Sequence, residues 1–288
     1  MAYRLDRDRN MSEFEITTSP IQGPYFGILY GPPGCGKTWL CRHAPNPFYL
    51  AVEKGVEKVP DVGRFTKDGR INLPENIEVF FSMMRHFVTT QHDYKTIVID
   101  SGQFIDTLVE RDIITKNPTE TIKKEEVIVT CIGDYLFGRG FEKGVDYYKN
   151  RFLKGVDALH RKGINVILIA HSKEKSTSNA AGDDFKKHCI DMMEWGRISV
   201  PNLLSARADW VYFMRSEAKT GKKINPFGGP VKTIALKDGQ PEVLVYTRKT
   251  NSFDAKVRTT KMENIPDYYL IDINDDKTSQ QIFEDLQK

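Results

Sequence analysis

The chain alternates short, wholly apolar runs with longer stretches whose apolar residues recur every three to four positions. Tyr25-Phe26-Gly27-Ile28-Leu29-Tyr30 stops at Gly31. Phe48-Tyr49-Leu50-Ala51-Val52, Thr96-Ile97-Val98-Ile99 and Ile164-Asn165-Val166-Ile167-Leu168-Ile169-Ala170 follow, and Asp209 to Met214 makes a fifth run. Runs of this length without polar alternation suit strands covered on both faces. Helical periodicity fills the intervals from Glu75 to Gln91 and from Tyr147 to Arg161, and Lys37 to His43 reads as a short helix ended by Pro45 and Pro47. Strands spaced by helices predict an α/β fold with a mostly parallel sheet flanked by helices. Between Val231 and Arg248 two alternating runs flank Asp238-Gly239, which predicts an antiparallel hairpin near the carboxyl end. Ser172 to Gly196 is polar and aperiodic and is expected to be a long mobile loop.

Composition narrows the class. Forty per cent of the 288 residues are hydrophobic, and 42 lysines and arginines stand against 39 acids, so the chain reads as a soluble globular protein and not a wholly basic one. No apolar run approaches a membrane span, and the amino terminus lacks a signal-peptide core. Cys35, Cys41, Cys131 and Cys189 form no C-x-x-C pair and no metal-ligand spacing with histidine, which points to free thiols in a cytoplasmic protein.

The chemistry begins where the first run ends. Gly31-Pro32-Pro33-Gly34-Cys35-Gly36-Lys37-Thr38 is a full G-x-x-x-x-G-K-[ST] string, between a strand and a helix. Chance supplies such a string in about one chain in a hundred of this length, so its context identifies it as a phosphate-binding loop. The glycines let successive backbone N–H groups curl around phosphate oxygens at a helix amino terminus. Lys37 is expected at the β- and γ-phosphates, and the Thr38 hydroxyl on Mg²⁺. Asp100, closing the third strand, is expected to complete the metal shell. Ser101 follows it where many AAA-type motors carry a glutamate. The water-directing group must then lie elsewhere; Glu53, ending the second strand, fits, with Glu57 as the alternative. His171, after the fourth strand, is placed to sense the γ-phosphate. No guanine-specificity motif is present, so ATP is the expected nucleotide.

With Gly31 to Thr38, Val52-Glu53, Ile97-Val98-Ile99-Asp100-Ser101 and Ile169-Ala170-His171-Ser172 in this order, the chain from about Tyr25 to Arg258 resembles the RecA-like ATPases of bacteriophages. Within these it is similar to the RecA-fold single-strand-annealing recombinases, also described as AAA-type phage nucleotide-binding proteins. The resemblance implies a RecA-like P-loop NTPase acting on single-stranded DNA in a ring or filament, with a single-strand-binding or replication protein as a possible further partner. It makes Glu53 the catalytic carboxylate, His171 the sensor, and the segment after His171 a DNA-contacting loop. Ala255-Lys256-Val257-Arg258 resembles the basic pair that relatives insert into a neighbour's ATP site. On this reading residues 1–22 form an extension, 23–262 the ATPase domain and 263–288 an acidic tail in which Ile282, Phe283 and Leu286 could dock as a short helix. Two departures stand out: Ile113 to Phe137, expected as an extra helical stretch, and Phe14-Glu15-Ile16, expected as an edge strand or an anchor on a neighbouring subunit.

Single-strand binding needs cations beside aromatic platforms. Ser172 to Cys189 carries Lys173, Lys175, Lys186 and Lys187 against three acids; Arg215 to Lys232 carries five cations against Glu217 alone; Tyr147 to Lys162 adds Lys149, Arg151, Lys154, Arg161 and Lys162. Two other functions share the phosphate loop: a partner-gated switch or loader in a replication complex, and a small-molecule or nucleotide kinase. The absence of an Arg-rich lid argues against the kinase.

Overall fold

Odd and even positions of the apolar runs face opposite layers, as the unbroken hydrophobic pattern demands. In the computed structural model, which describes residues 17–19, 22–177, 185–217, 220–223, 232–235, 242–258, 264–272 and 276–287, the first run is β1 (Phe26–Gly31). After the phosphate loop come α1 (Lys37–Cys41), β2 (Pro47–Ala51), α2 (Ile77–Thr89), β3 (Thr96–Asp100) and α3 (Gly102–Lys116). Then follow α4 (Arg139–Tyr147), a π-helical turn and α5 (Leu153–His160), β4 (Asn165–Thr177) and β5 (Phe185–Ile190). The chain closes with α6 (Val200–Arg207), β6 (Trp210–Glu217), β7 (Glu242–Tyr246), β8 (Tyr268–Ile271) and α7 (Lys277–Asp285).

The central sheet runs β8-β7-β6-β1-β4-β3-β2 and ends in a short strand at Gly63–Arg64. From β6 to β2 every pairing is parallel; β7 and β8 add antiparallel strands on the other side. Ile28, Leu50, Ile99 and Leu168 face one core, packed by α2 to α6, while Leu29, Tyr49, Val98 and Ile167 face the other, with α1 and α7. Helix α2 begins where the Asn76 side chain accepts from the amides of Glu78 and Val79, both at 3.0 Å. At the sheet's amino edge Asp209 carries its Oδ2 2.8 Å from the Phe26 amide, which fixes β6 beside β1.

Several expectations are corrected. Among the described residues of Ser172 to Gly196, strands replace the expected loop: β4 runs on to Thr177 and pairs antiparallel with β5, forming an arm, and Glu194–Trp195 pairs with Ile198–Ser199. Ile113 to Phe137 is not a helix beyond Lys116: Thr119–Ile122 and Glu125–Ile128 form a hairpin whose turn holds Lys123 and Lys124 at positive φ, and only short 3-10 turns at Ile132–Asp134 and Leu136–Gly138 follow it. Among the described residues the two runs flanking Asp238-Gly239 pair elsewhere: Lys232–Ala235 with Thr220–Lys223, and β7 with β6 and β8. Asp238-Gly239 itself, like Phe14-Glu15-Ile16, lies outside the described residues. The stretch expected as an acidic tail contributes β8 to the same sheet, and Ile282 and Phe283 of α7 are buried against it.

Candidate nucleotide site

Parallel register gathers residues far apart in sequence at one sheet edge, outside the carboxyl ends of the strands. Gly31 pairs with His171, Asp100 lies level with Ile169 and Ala51, and Glu53 follows two residues beyond Ala51. Backbone crowding dictates the loop's glycines. A Cβ on Gly31 would lie 1.8 Å from the Met214 carbonyl oxygen, and Gly36 enters α1 with φ at 95°. The hydroxyl of Tyr49 donates to the Thr38 carbonyl at 2.7 Å and ties the helix to the sheet.

A cavity of about 380 Å³ opens against this edge, lined by Gly34, Gly36, Lys37, Thr38, Glu53, Asp100 and His171, with Trp39, Lys54 and Lys58 beside them. Lys37 is buried, and its Nζ donates to the carbonyls of Gly31 (2.9 Å) and Pro32 (2.7 Å). Burial pushes its pKa down, opposed by Cys35 and Asp100. The Thr38 hydroxyl donates to Asp100 Oδ2 at 2.7 Å. Burial pushes the Asp100 carboxyl up to about 6, against the Thr38 hydrogen bond. Ser101, joined to Asp100 by a cis peptide, donates its hydroxyl to Glu53 Oε1 at 2.7 Å. The residue that replaces the usual glutamate therefore holds the carboxylate that lines the cavity. Glu57 is instead fully exposed and accepts from the Gly55 amide at 2.7 Å, outside the cavity lining.

His171 is not at a strand end; β4 continues six residues past it into the arm. Burial, then Lys37, lowers its pKa and favours the neutral ring, and its buried Nδ1 has no hydrogen-bond partner among the described residues. Its carbonyl accepts from the Asp191 amide at 2.9 Å, and Gln103 donates to the Asp191 carbonyl, so the strand is fastened to the segment beyond β5.

The basic pair lies elsewhere. Val257 pairs with Trp210 and Lys256 with Val211, near the start of β6 and away from the phosphate-loop edge. Arg258 donates from Nη2 to the Ala206 carbonyl at 2.7 Å, so neither side chain lines its own chain's cavity. Each lysine expected to form a cationic track on the arm has an acidic partner: Lys173 and Lys175 with Glu194, Lys186 with Glu174, Lys187 with Asp254. Arg215 is likewise paired with Glu217. Sequence reasoning missed Trp39, Lys54 and Lys58 in the cavity wall; the Lys54-Gly55-x-x-Lys58 spacing straight after Glu53 was the available signal.

Thr38 and Asp100 form a hard-oxygen pair whose carboxylate is destabilised by burial, which suits Mg²⁺ held jointly by protein and phosphate oxygens. Among the described residues no group of three or more His, Cys, Asp or Glu side chains could hold a metal by itself. Also among the described residues, no helix is long and apolar enough to cross a membrane.

Comparison with known proteins adds four findings. The sequence matches no curated protein. The RadB recombinase is similar in structure at 12% identity and a TM-score of 0.41, over 87% of this chain and 89% of that one. A KaiC-like protein from Pyrococcus horikoshii OT3 gives 14% identity and a TM-score of 0.35, over 87% of each chain. The model of the AAA domain family matches residues 24–259, the span that carries the loop, both carboxylates and the histidine. The chain therefore belongs to the AAA domain family and is a nucleotide-binding P-loop ATPase.

Proposed function

We propose that this ATPase is Mg²⁺-dependent, assembles with copies of itself as a ring or filament, and acts on single-stranded DNA in phage recombination, annealing or repair. The observation that carries the reading is the meeting of Lys37, Thr38, Glu53, Asp100 and His171 on one cavity, with His171 on a strand that runs unbroken into an arm.

The loop amides and Lys37 would cradle the phosphates, and Thr38 with Asp100 would hold the ion. Bound with the nucleotide, Mg²⁺ supplies neutralisation of the charge on the β- and γ-phosphate oxygens. Glu53, steadied by Ser101, orients the attacking water and takes its proton. His171, with its unpartnered nitrogen, hydrogen-bonds the γ-phosphate and reports its loss along β4. The signal has a physical path: at the arm, Lys187 pairs with Asp254, two residues before Lys256. Because Lys256 and Arg258 do not line their own cavity, any part they take in hydrolysis is in a neighbour's. Support for a DNA contact comes from the exposed Lys149, Lys154, Arg161 and Lys162, which run from the π-helical turn before α5 to the turn after it.

The ion pairing of all four arm lysines favours a second reading, a switch whose ATP cycle is gated by a protein partner at the arm. ATP hydrolysis measured with and without long single-stranded DNA separates the two. Stimulation several-fold or more is expected for the DNA-dependent enzyme. Turnover indifferent to DNA would overturn that reading in favour of the partner-gated switch, and ADP formation only with an added phosphate acceptor would indicate a kinase.

A further inference from the structure

Helices α2 and α5 lie side by side on one face of the sheet, and two hollows follow the seam between them. The first, of about 280 Å³, has Phe81, Arg85, Arg151 and Lys154 in its walls. The second, of about 400 Å³, lies where α2 ends and the chain enters β3 and β4; His92, Tyr94, Lys95 and Lys162 line it. Val88 lines both, so the two make one groove. It runs to the amino ends of β3 and β4, the sheet edge opposite the phosphate loop.

The groove's charge is of one sign. Five cations line it, and no aspartate or glutamate is among its described lining residues. Arg151 is held by both carboxylate oxygens of Glu78, at 2.5 and 2.7 Å, with its guanidinium 4.2 Å from the Phe81 ring centroid. Arg85, Lys95, Lys154 and Lys162 are exposed and have no ion pair among the described residues. The arm is the opposite case, since an acid neutralises each of its four lysines. A polyanion gains by releasing counterions from unpaired cations, and gains little where an existing ion pair must first be broken.

We infer that the α2–α5 groove, and not the arm, carries the phosphodiester backbone of single-stranded DNA; the inference rests on the proposal that the chain acts on such DNA. The cations are strung out: Lys154 and Lys162 are separated by about 12 Å of helical rise. A line of charges fits a chain of phosphates better than it fits one small anion. The second hollow adds rings for bases. Tyr94 and His92 are half-buried there, with ring centroids 5.8 Å apart, and the buried Nδ1 of His92 has no hydrogen-bond partner among the described residues. Bases stack on such rings without regard to sequence. The groove also has a route to the nucleotide: β3 starts one residue after Lys95 and ends at Asp100. DNA and ATP would then occupy opposite ends of the same strands.

The test is fluorescence anisotropy of a labelled oligothymidylate with the full chain across a salt series. Lys154→Ala combined with Lys162→Ala is expected to weaken binding about tenfold at moderate salt. It should also flatten the log–log salt slope by about 1.4, the share of two single-strand phosphates at about 0.7 each. On the arm, Lys175→Ala combined with Lys186→Ala should stay within about twofold of wild type. Both double variants should keep wild-type ATP affinity, which also reports that they fold, because none of the four lysines lines the nucleotide cavity. Loss in the arm variant alone, equal loss in both, or an unchanged slope in the groove variant would overturn the groove. Wild-type protein that bound no oligonucleotide at any salt would instead remove the single-stranded DNA reading, and the groove with it.

Discussion

Asp100 carries a carboxylate that is only 6% exposed and has one hydroxyl as its hydrogen-bond donor, which makes it the most pH-sensitive group at the site. With its pKa pushed up to about 6, the anion that suits a cation is depleted as pH falls below that value. Mg²⁺-dependent ATP affinity should therefore weaken between pH 7 and pH 5, and Asp100→Asn should bind more weakly throughout with a flatter profile. Titration calorimetry at three pH values checks this. For the ligand-free protein the sign is reversed. A raised carboxyl pKa means the folded state holds the extra proton between about 4 and 6, so this group's contribution to stability declines as pH rises through that window. Lys37 and Glu53 divide binding from chemistry. Lys37→Ala should abolish nucleotide binding or turnover, whereas Glu53→Gln should keep ATP affinity within a few-fold and lower kcat by 10² or more. Full turnover in Glu53→Gln would remove it from the role of base. Glu53 and Asp100 were readable from sequence because strand-end positions follow from the apolar runs, whereas His171, read the same way, lies inside a strand that continues past it. The Ser101–Glu53 hydrogen bond was not readable, since it joins residues 48 apart through register alone.

Secondary elements show where periodicity misleads. The hairpin after α3 turns through Lys123 and Lys124 at positive φ, conformations usually left to Gly or Asn, so no turn signal marked it. The β4–β5 arm projects past the parallel part of the sheet; most of its side chains are half-buried or exposed, and a strand without a buried face has no apolar alternation to read. In the carboxyl-terminal segment the expected docking helix forms as α7, and it is no free tail: Phe283 is only 3% exposed and Tyr269 donates to Asp285 at 2.9 Å. Phe283→Ala should therefore cost about 3 kcal/mol of global stability in denaturant unfolding. A local loss confined to α7, with the main transition unmoved, would show the segment to be an appendage. Gly31→Ala should be at least as harmful, because its methyl would meet a strand carbonyl that cannot rotate away; thermal unfolding would reveal it.

Lys256 lies on a short strand paired with the start of β6, and Arg258 follows it, near the edge opposite the loop, so a catalytic effect of Arg258 would have to cross to a neighbour. On that basis Arg258→Ala should lose turnover while retaining ATP affinity, and adding an inactive Lys37→Ala chain should partly rescue it by supplying the missing arginine. Steady-state hydrolysis across mixing ratios is the measurement, and no recovery at any ratio would count against the trans contact. A finger of this kind is worth about 10³–10⁵ in rate, large enough for partial rescue to be visible.

From sequence alone came the α/β class, the phosphate loop and the strand-end residues, because each depends on local hydrophobic period and on residue types at short spacing. Folding decided what depends on distance through space. It placed β4 between β1 and β3, which brings His171 beside Gly31 and Asp100 level with Ile169. It also paired the arm lysines with acids and set β6, β7 and β8 against the loop as an apolar wall. Strand order joins segments as distant in sequence as β1 and β4, and the arm's ion pairs join strands and turns that only the fold brings together, so no local pattern encodes either.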